Sequence, residues 1–161
     1  MQFELLIPFR AQRAQIHARW EALIHAEPVN TPLANPNALV HLIEGSIDEI
    51  FSSLATGSTP RTPARKPSAA EERPVCPCGR NPLLVYFVAG QQAMREALVL
   101  AQAAAPRLDA VERDTALTEV NLVFSRIARR ETESFCAVCQ HRNSAAVTAS
   151  PPGRAMCISG F

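Results

Sequence analysis

The chain has 161 residues, with 47% hydrophobic residues, 19% charged residues and a formal net charge of +1. This length suffices for one domain with its own core, and the composition is that of a folded globular protein rather than a disordered one. The small net charge provides no global field to attract nucleic acid, and no apolar run approaches the ~18 residues of a membrane span. We therefore expect neither a nucleic-acid partner nor a membrane partner.

The first eight residues do not predict a signal peptide. They lack a basic region and a small-residue cleavage site, and Glu4 interrupts their short apolar run. We therefore expect a cytoplasmic protein. In that compartment thiols stay reduced, and clustered cysteines bind metals more often than they form disulfides.

Apolar residues recur with a helical period in four segments, which predicts an all-α, four-helix bundle-like domain. The first helix is predicted from about Pro8 to Ala26, and its apolar stripe is Phe9, Ile16, Trp20, Leu23 and Ile24. The second is predicted from Pro36 to about Leu54, between the N-cap Asn35 and the stop signal Gly57. Its stripe is Leu39, Ile43, Ile47, Ile50, Phe51 and Leu54.

The third helix starts with the same cap-then-proline signal, Asn81-Pro82, and is predicted to end near Ala105. The fourth is predicted from about Leu108 to Cys139, with the apolar residues Val111, Leu117, Val120, Val123, Phe124, Ile127, Phe135 and Val138. The short connection between them favours an antiparallel hairpin, so the start of the third helix should lie beside the end of the fourth. Small residues such as Gly90 are expected to let these two backbones approach closely.

The third helix also has a second apolar strip, which is expected to pack against either the first two helices or another copy of the chain. The strip contains Val85, Val88, Val99 and Leu100.

The composition divides the chain into four regions. Residues 1–56 form an N-terminal helical pair, and residues 57–75 form a linker with four prolines and almost no bulky apolar side chain. Residues 76–142 are predicted to be a metal-clasped helical hairpin that packs on residues 1–56 as one domain. Residues 143–161 are predicted to be a flexible tail.

Two pairs of closely spaced cysteines flank the predicted hairpin. Zinc takes four ligands tetrahedrally and accepts thiolates well, so the antiparallel hairpin predicts a zinc site formed by Cys76, Cys78, Cys136 and Cys139. The remaining alternatives are cysteines packed as small apolar residues, two disulfides, or an iron-sulfur cluster on the same ligands. Covalent haem is excluded because Gln140 stands where the attachment motif needs histidine.

Other residues near the cysteines have two interpretations. Glu131 lies in line with Ile127 and Phe135, so its carboxylate is expected to face the packed side, with Arg80 as its partner beside the metal. The alternative is that Glu131 lies at an exposed edge. Cys157 in the tail is either a spare thiol or a resolving cysteine or substitute ligand.

Histidines and glutamates on the first two helices offer a second candidate site. His17, Glu21 and His25 are spaced by four residues, and His41 and Glu44 by three. Helical bundles use such groups as metal ligands when they project inward. These faces lie away from the apolar stripes, however, so we expect solvated faces with weak ion pairs.

Common enzyme motifs are absent from the sequence, which favours a binding role over catalysis. The sequence contains no phosphate-binding loop, no nucleophile elbow and no zinc-protease motif. We therefore predict a zinc-binding helical protein that acts as a binding, sensory or assembly module, through a protein partner or self-association. One alternative is a thiol-based redox switch, because the cysteine pattern resembles, in ligand spacing alone, the zinc redox-switch heat-shock chaperones, in which oxidation releases the metal. A further alternative is a small helical-bundle enzyme or cofactor carrier.

Overall fold

A computed structural model describes residues 3–26, 35–57, 81–105 and 107–138. Every regular element in these ranges is a helix, which confirms the all-α fold class. The helices are α1 (Phe3–Ala11), α2 (Arg13–Ala26), α3 (Pro36–Leu39), α4 (Ile43–Ala55), α5 (Pro82–Ala103) and α6 (Ala110–Val138), with a 3-10 turn (Val40–Leu42) joining α3 to α4. Within the described residues, no helix has the length and apolar character needed to cross a membrane. Of the linker 57–75, the structure describes only Gly57, and the tail 143–161 lies outside the described residues.

The first predicted helix begins earlier than expected and is divided in two. Helix α1 starts at Phe3 rather than Pro8, and the proline lies inside it. The early start buries Leu5 and Leu6, and their apolar area offsets the backbone donor that Pro8 lacks. The chain then tightens at Gln12, whose backbone N–H donates to the Phe9 carbonyl at 3.1 Å, before α2 continues.

The second and third predicted helices have their expected caps. Asn35 Oδ1 accepts from the Asn37 backbone N–H at 3.0 Å, and Asn81 Oδ1 accepts from the Leu83 N–H at 2.9 Å. Gly57 has φ +61°, the left-handed conformation expected where a helix stops. All six predicted stripe residues of the second helix are buried. The 3-10 turn inside it was not predicted.

The described helices pack around one hydrophobic core, in which Trp20 is fully buried. The indole ring of Trp20 lies 4.8 Å from the Tyr86 ring and 5.9 Å from the Phe124 ring, measured between centroids. Its Nε1–H donates to the Tyr86 carbonyl at 2.9 Å. A Cβ on Gly90 would overlap the indole ring. Gly90 therefore admits Trp20 from α2, and the expectation that it serves contact between α5 and α6 was wrong about the neighbour.

Three side-chain contacts show that α5 and α6 run in opposite directions. Near the start of α5, Asn81 contacts Thr132. In the middle, Gln91 Nε2 lies 3.4 Å from Asn121 Oδ1, and at the far end Gln102 Nε2 donates to the Arg113 carbonyl at 2.9 Å. The start of α5 consequently lies beside the last turns of α6.

The apolar stripe of α6 is buried only in its middle. Val111 is 73% exposed and Val138 is 79% exposed, whereas the side chains from Ala116 to Thr132 on this face are buried. Both end residues were expected to pack, and that expectation was wrong. The described side-chain contacts between α5 and α6 lie between Arg113 and Cys136, inside both end residues. On α5, the described helices α1 and α2 leave Val88, Val99 and Leu100 exposed.

Candidate metal centre

Of the four predicted zinc ligands, the described part of the chain contains Cys136. Cys76, Cys78 and Cys139 lie outside the described residues, as do Arg80 and Cys157. Cys136 lies in the last turn of α6 and is partly buried. Among the described residues, no group of three or more His, Cys, Asp or Glu side chains is arranged to hold a metal ion.

The Asn81 side chain joins the start of α5 to Cys136. Asn81 is 4% exposed. While its Oδ1 caps α5, its Nδ2 donates to the Thr132 carbonyl at 3.2 Å and to Cys136 Sγ at 3.3 Å. One amide group thus holds the first turn of one helix against the last turns of another.

The local sequence explains why these groups meet. Asn81 has extended backbone angles, φ −75° and ψ 113°, and Pro82 occupies the first helical turn, so the side chain folds over the helix start. Thr132 and Cys136 are four residues apart and therefore lie on one face of α6, one turn from each other. An amide has two donor hydrogens, so it can reach both groups at once.

A second buried polar group lies at the same end of the molecule. Thr132 is 1% exposed, and its Oγ1 has no hydrogen-bond partner among the described residues. An unsatisfied buried hydroxyl costs about 1–3 kcal/mol. Native proteins rarely leave such groups unpaired, so a further polar group or ion is expected beside Thr132. The chemistry of this end, a thiol and a hydroxyl beside an amide donor, suits a soft metal ligand with supporting hydrogen bonds.

Glu131 is only partly buried, which matches the second of its two interpretations, a position at an exposed edge. Its side chain is 43% exposed. Its Oε1 accepts from Arg130 Nη2 at 2.7 Å, and Arg130 Nη1 also lies 2.8 Å from Glu49 Oε1 on α4. Hydrogen bonds to Glu49 and Glu131 raise the pKa of Arg130. Thr132 takes the buried position on this face of α6, which leaves Glu131 at its edge. A role of Glu131 beside the metal, with Arg80 as its partner, stays a prediction.

The histidine and glutamate faces form polar contacts within α2 and between α2 and α4. His17 lies 3.8 Å from the carboxylates of Glu21 and Glu44. Arg13 binds both Glu44 and Asp48, and its hydrogen bond lowers the pKa of Asp48. This agrees with the expected ion pairs on solvated faces.

The remaining two histidines do not extend this network. His25 Nδ1 lies 3.0 Å from the Glu21 backbone carbonyl. His41 is exposed on the 3-10 turn, and Glu44 contacts α2 rather than forming the predicted pair with it. Exposed pairs of this kind contribute little to stability, typically about 0–1 kcal/mol.

No protein-family model, curated protein or solved structure matches the chain. Sequence reasoning identified Asn81 as a helix cap and missed its contact with Cys136. The available signal was chemical, because capping uses the amide oxygen and leaves two donor hydrogens for a neighbour.

Proposed function

We propose that this is a cytoplasmic zinc-binding protein in which one ion joins the start of α5 to the end of α6. The ligands are Cys76, Cys78, Cys136 and Cys139. The observation that carries the proposal is the contact between Asn81 Nδ2 and Cys136 Sγ at 3.3 Å. It brings the helix that follows the first cysteine pair against a member of the second pair.

Chain length allows all four sulfurs to reach one ion. Cys78 precedes Asn81 by three residues and Cys139 follows Cys136 by three. A chain spans at most ~3.6 Å per residue, so three residues bridge at most about 11 Å. Cys76 adds only two residues to this distance. Four thiolates in a closed tetrahedral set are typical of structural zinc.

The proposed role of the ion is to stabilise a surface for assembly. Binding free energy of a structural zinc ion becomes folding free energy, because the unfolded chain does not hold the ligands together. The exposed Val88, Val99 and Leu100 of α5 support a protein partner or a second copy of the chain as the occupant of that surface.

Metal analysis of the purified protein tests the proposal. We expect one zinc per chain and no visible colour. Cys78→Ser and Cys139→Ser should each lose the metal and melt at a lower temperature, whereas Cys157→Ser, the matched control, should keep it. Unchanged zinc content in both single variants would count against the site. A coloured protein with bound iron would instead indicate an iron-sulfur cluster on the same cysteines.

A thiol-based redox switch is the second candidate function. The partial exposure of Cys136 favours it, because an oxidant can reach a sulfur that is not fully enclosed. Each disulfide formed would transfer two electrons to one peroxide molecule, which is reduced to water, and would remove two ligands from the ion. In the Cys157→Ser background we expect mild peroxide to leave zinc bound. Release in step with disulfide formation, reversed by a reductant, would instead identify a switch.

A further inference from the structure

Asn81 has features that a helix cap does not require. A cap needs only a side-chain oxygen, which Ser, Thr and Asp also supply. Asn35 makes the same kind of cap from an exposed position. Asn81 is buried, and its donor group is directed at α6, where it contacts a backbone carbonyl and a sulfur. These contacts need the amide nitrogen. Of the capping side chains Ser, Thr, Asp and Asn, only that of asparagine has one.

A hydrogen bond to a metal-bound sulfur fixes the ligand and tunes the ion. Groups that donate to metal ligands orient them, and their loss typically weakens metal binding about 10–100-fold. Donation to an ionised sulfur is also stronger than donation to a neutral one. At this end of the molecule the buried Thr132 Oγ1, which has no partner among the described residues, gives an independent indication that a further polar group belongs beside Thr132.

We infer that Asn81 is a positioning residue for the Cys136 sulfur and couples zinc binding to the docking of α5 on α6. The inference rests on the proposed zinc site. Because the same amide group caps α5 and holds the sulfur, a change at the metal reaches the first turn of α5 through a single side chain. Conversely, loosening of this turn withdraws the hydrogen bond from the ligand.

Two substitutions separate capping from sulfur positioning. Asn81→Asp and Asn81→Ser both retain a capping oxygen and both remove the amide donor. Aspartate adds a negative charge beside the thiolates and serine does not, so comparing them distinguishes loss of the donor from charge repulsion. Asn35→Asp and Asn35→Ser are matched controls at the other cap.

Zinc affinity and the spectrum of the cobalt-substituted protein are measured on the full chain. We expect both Asn81 variants to bind zinc about 10–100-fold more weakly and to shift the sulfur-to-cobalt charge-transfer band. Both Asn35 variants should match the unsubstituted protein in affinity and band position. Unchanged affinity and band position in the Asn81 variants would overturn the inference, and weakening by aspartate alone would assign the effect to charge and overturn it too.

A metal-free measurement separates this inference from the proposed function. In zinc-free protein, the melting-temperature losses of Asn81→Ser and Cys136→Ala should be less than additive, because the two residues share one contact. Asn81→Ser combined with Cys157→Ala should give additive losses. If the unsubstituted chain binds no zinc, the proposed function fails, and this cycle alone decides whether Asn81 positions the sulfur. If the melting-temperature losses of Asn81→Ser and Cys136→Ala are additive, the contact between the two residues is contradicted, whatever the metal content.

Discussion

Two helical segments of this protein begin with the same dipeptide and differ in what it does. Asn35-Pro36 opens the segment formed by α3 and α4, and Asn81-Pro82 opens α5. The two capping hydrogen bonds are alike, at 3.0 Å and 2.9 Å. Each segment also contains an interior glycine, Gly45 in the first and Gly90 in the second.

The surroundings of the two segments differ at both positions. Asn35 is exposed, whereas Asn81 is buried and bound to α6. A Cβ on Gly45 would meet nothing within 4 Å, whereas a Cβ on Gly90 would overlap the Trp20 indole. The comparison teaches that a local signal specifies a local conformation, while its neighbours decide whether the residue can be replaced.

The largest effect is expected at the glycines. Gly90→Ala should destabilise the protein by about 3 kcal/mol, the upper end for an overpacked core, because the Trp20 ring must move. Gly45→Ala should stabilise the protein by about 0.5–1 kcal/mol, because alanine is more favourable than glycine at an exposed position inside a helix. Chemical denaturation of both variants measures the difference. Equal and small effects would mean that Trp20 does not pack on Gly90.

A smaller difference is expected at the caps. Asn35→Ala should cost about 1 kcal/mol, the usual loss of an N-cap. Asn81→Ala should cost about 2–3 kcal/mol, because the Thr132 carbonyl also loses its buried donor. The unfolding free energies should be measured on zinc-free protein, so that metal affinity does not contribute. Similar losses at the two caps would contradict the burial of Asn81.

The smallest effect concerns a contact that joins the two segments. Ser46 Oγ on α4 lies 2.8 Å from the Tyr86 hydroxyl on α5. Tyr86→Phe should cost about 1 kcal/mol at neutral pH, because Ser46 loses its partner. Ser46→Ala is the matched variant from the other side, and combining the two should add little to either.

The same residue predicts a pH dependence. Burial raises the pKa of Tyr86 to about 12, with the Ser46 hydrogen bond opposing the shift. The unfolded chain releases this proton near the ordinary pKa of about 10, so the stability from the neutral phenol is complete below that pH and is lost as pH rises toward 12. Tyr86 is the single tyrosine of the chain, so phenolate absorbance reports it alone. A titration midpoint near the ordinary value would contradict its burial.

The sequence predicted the helical segments well where the signals are local. The Asn-Pro starts and the Gly57 stop act within one turn, and the periodic stripes of α2 and α4 need only a core on one side. Predictions failed where the outcome depended on distant residues. The partner of Gly90 and the exposed ends of α6 depend on which helices lie alongside, and no local pattern encodes this.

The prediction of where α1 starts failed for a related reason. Leu5 and Leu6 form too short a run to indicate a helix, and Pro8 indicated a beginning rather than an interior position. Their burial against the other helices stabilises a helix that isolated residues of this length would not form.

By itself the sequence determined the all-α class, the helix caps and the residue types able to bind a soft metal, because helix period, capping and thiol chemistry are properties of short segments. Only the tertiary structure decided that Trp20 lies on Gly90 and that the amide of Asn81 contacts Cys136. The physical reason is that side-chain hydrogen bonds and close packing act over a few ångströms between residues far apart in sequence. Their partners exist only after the helices have docked.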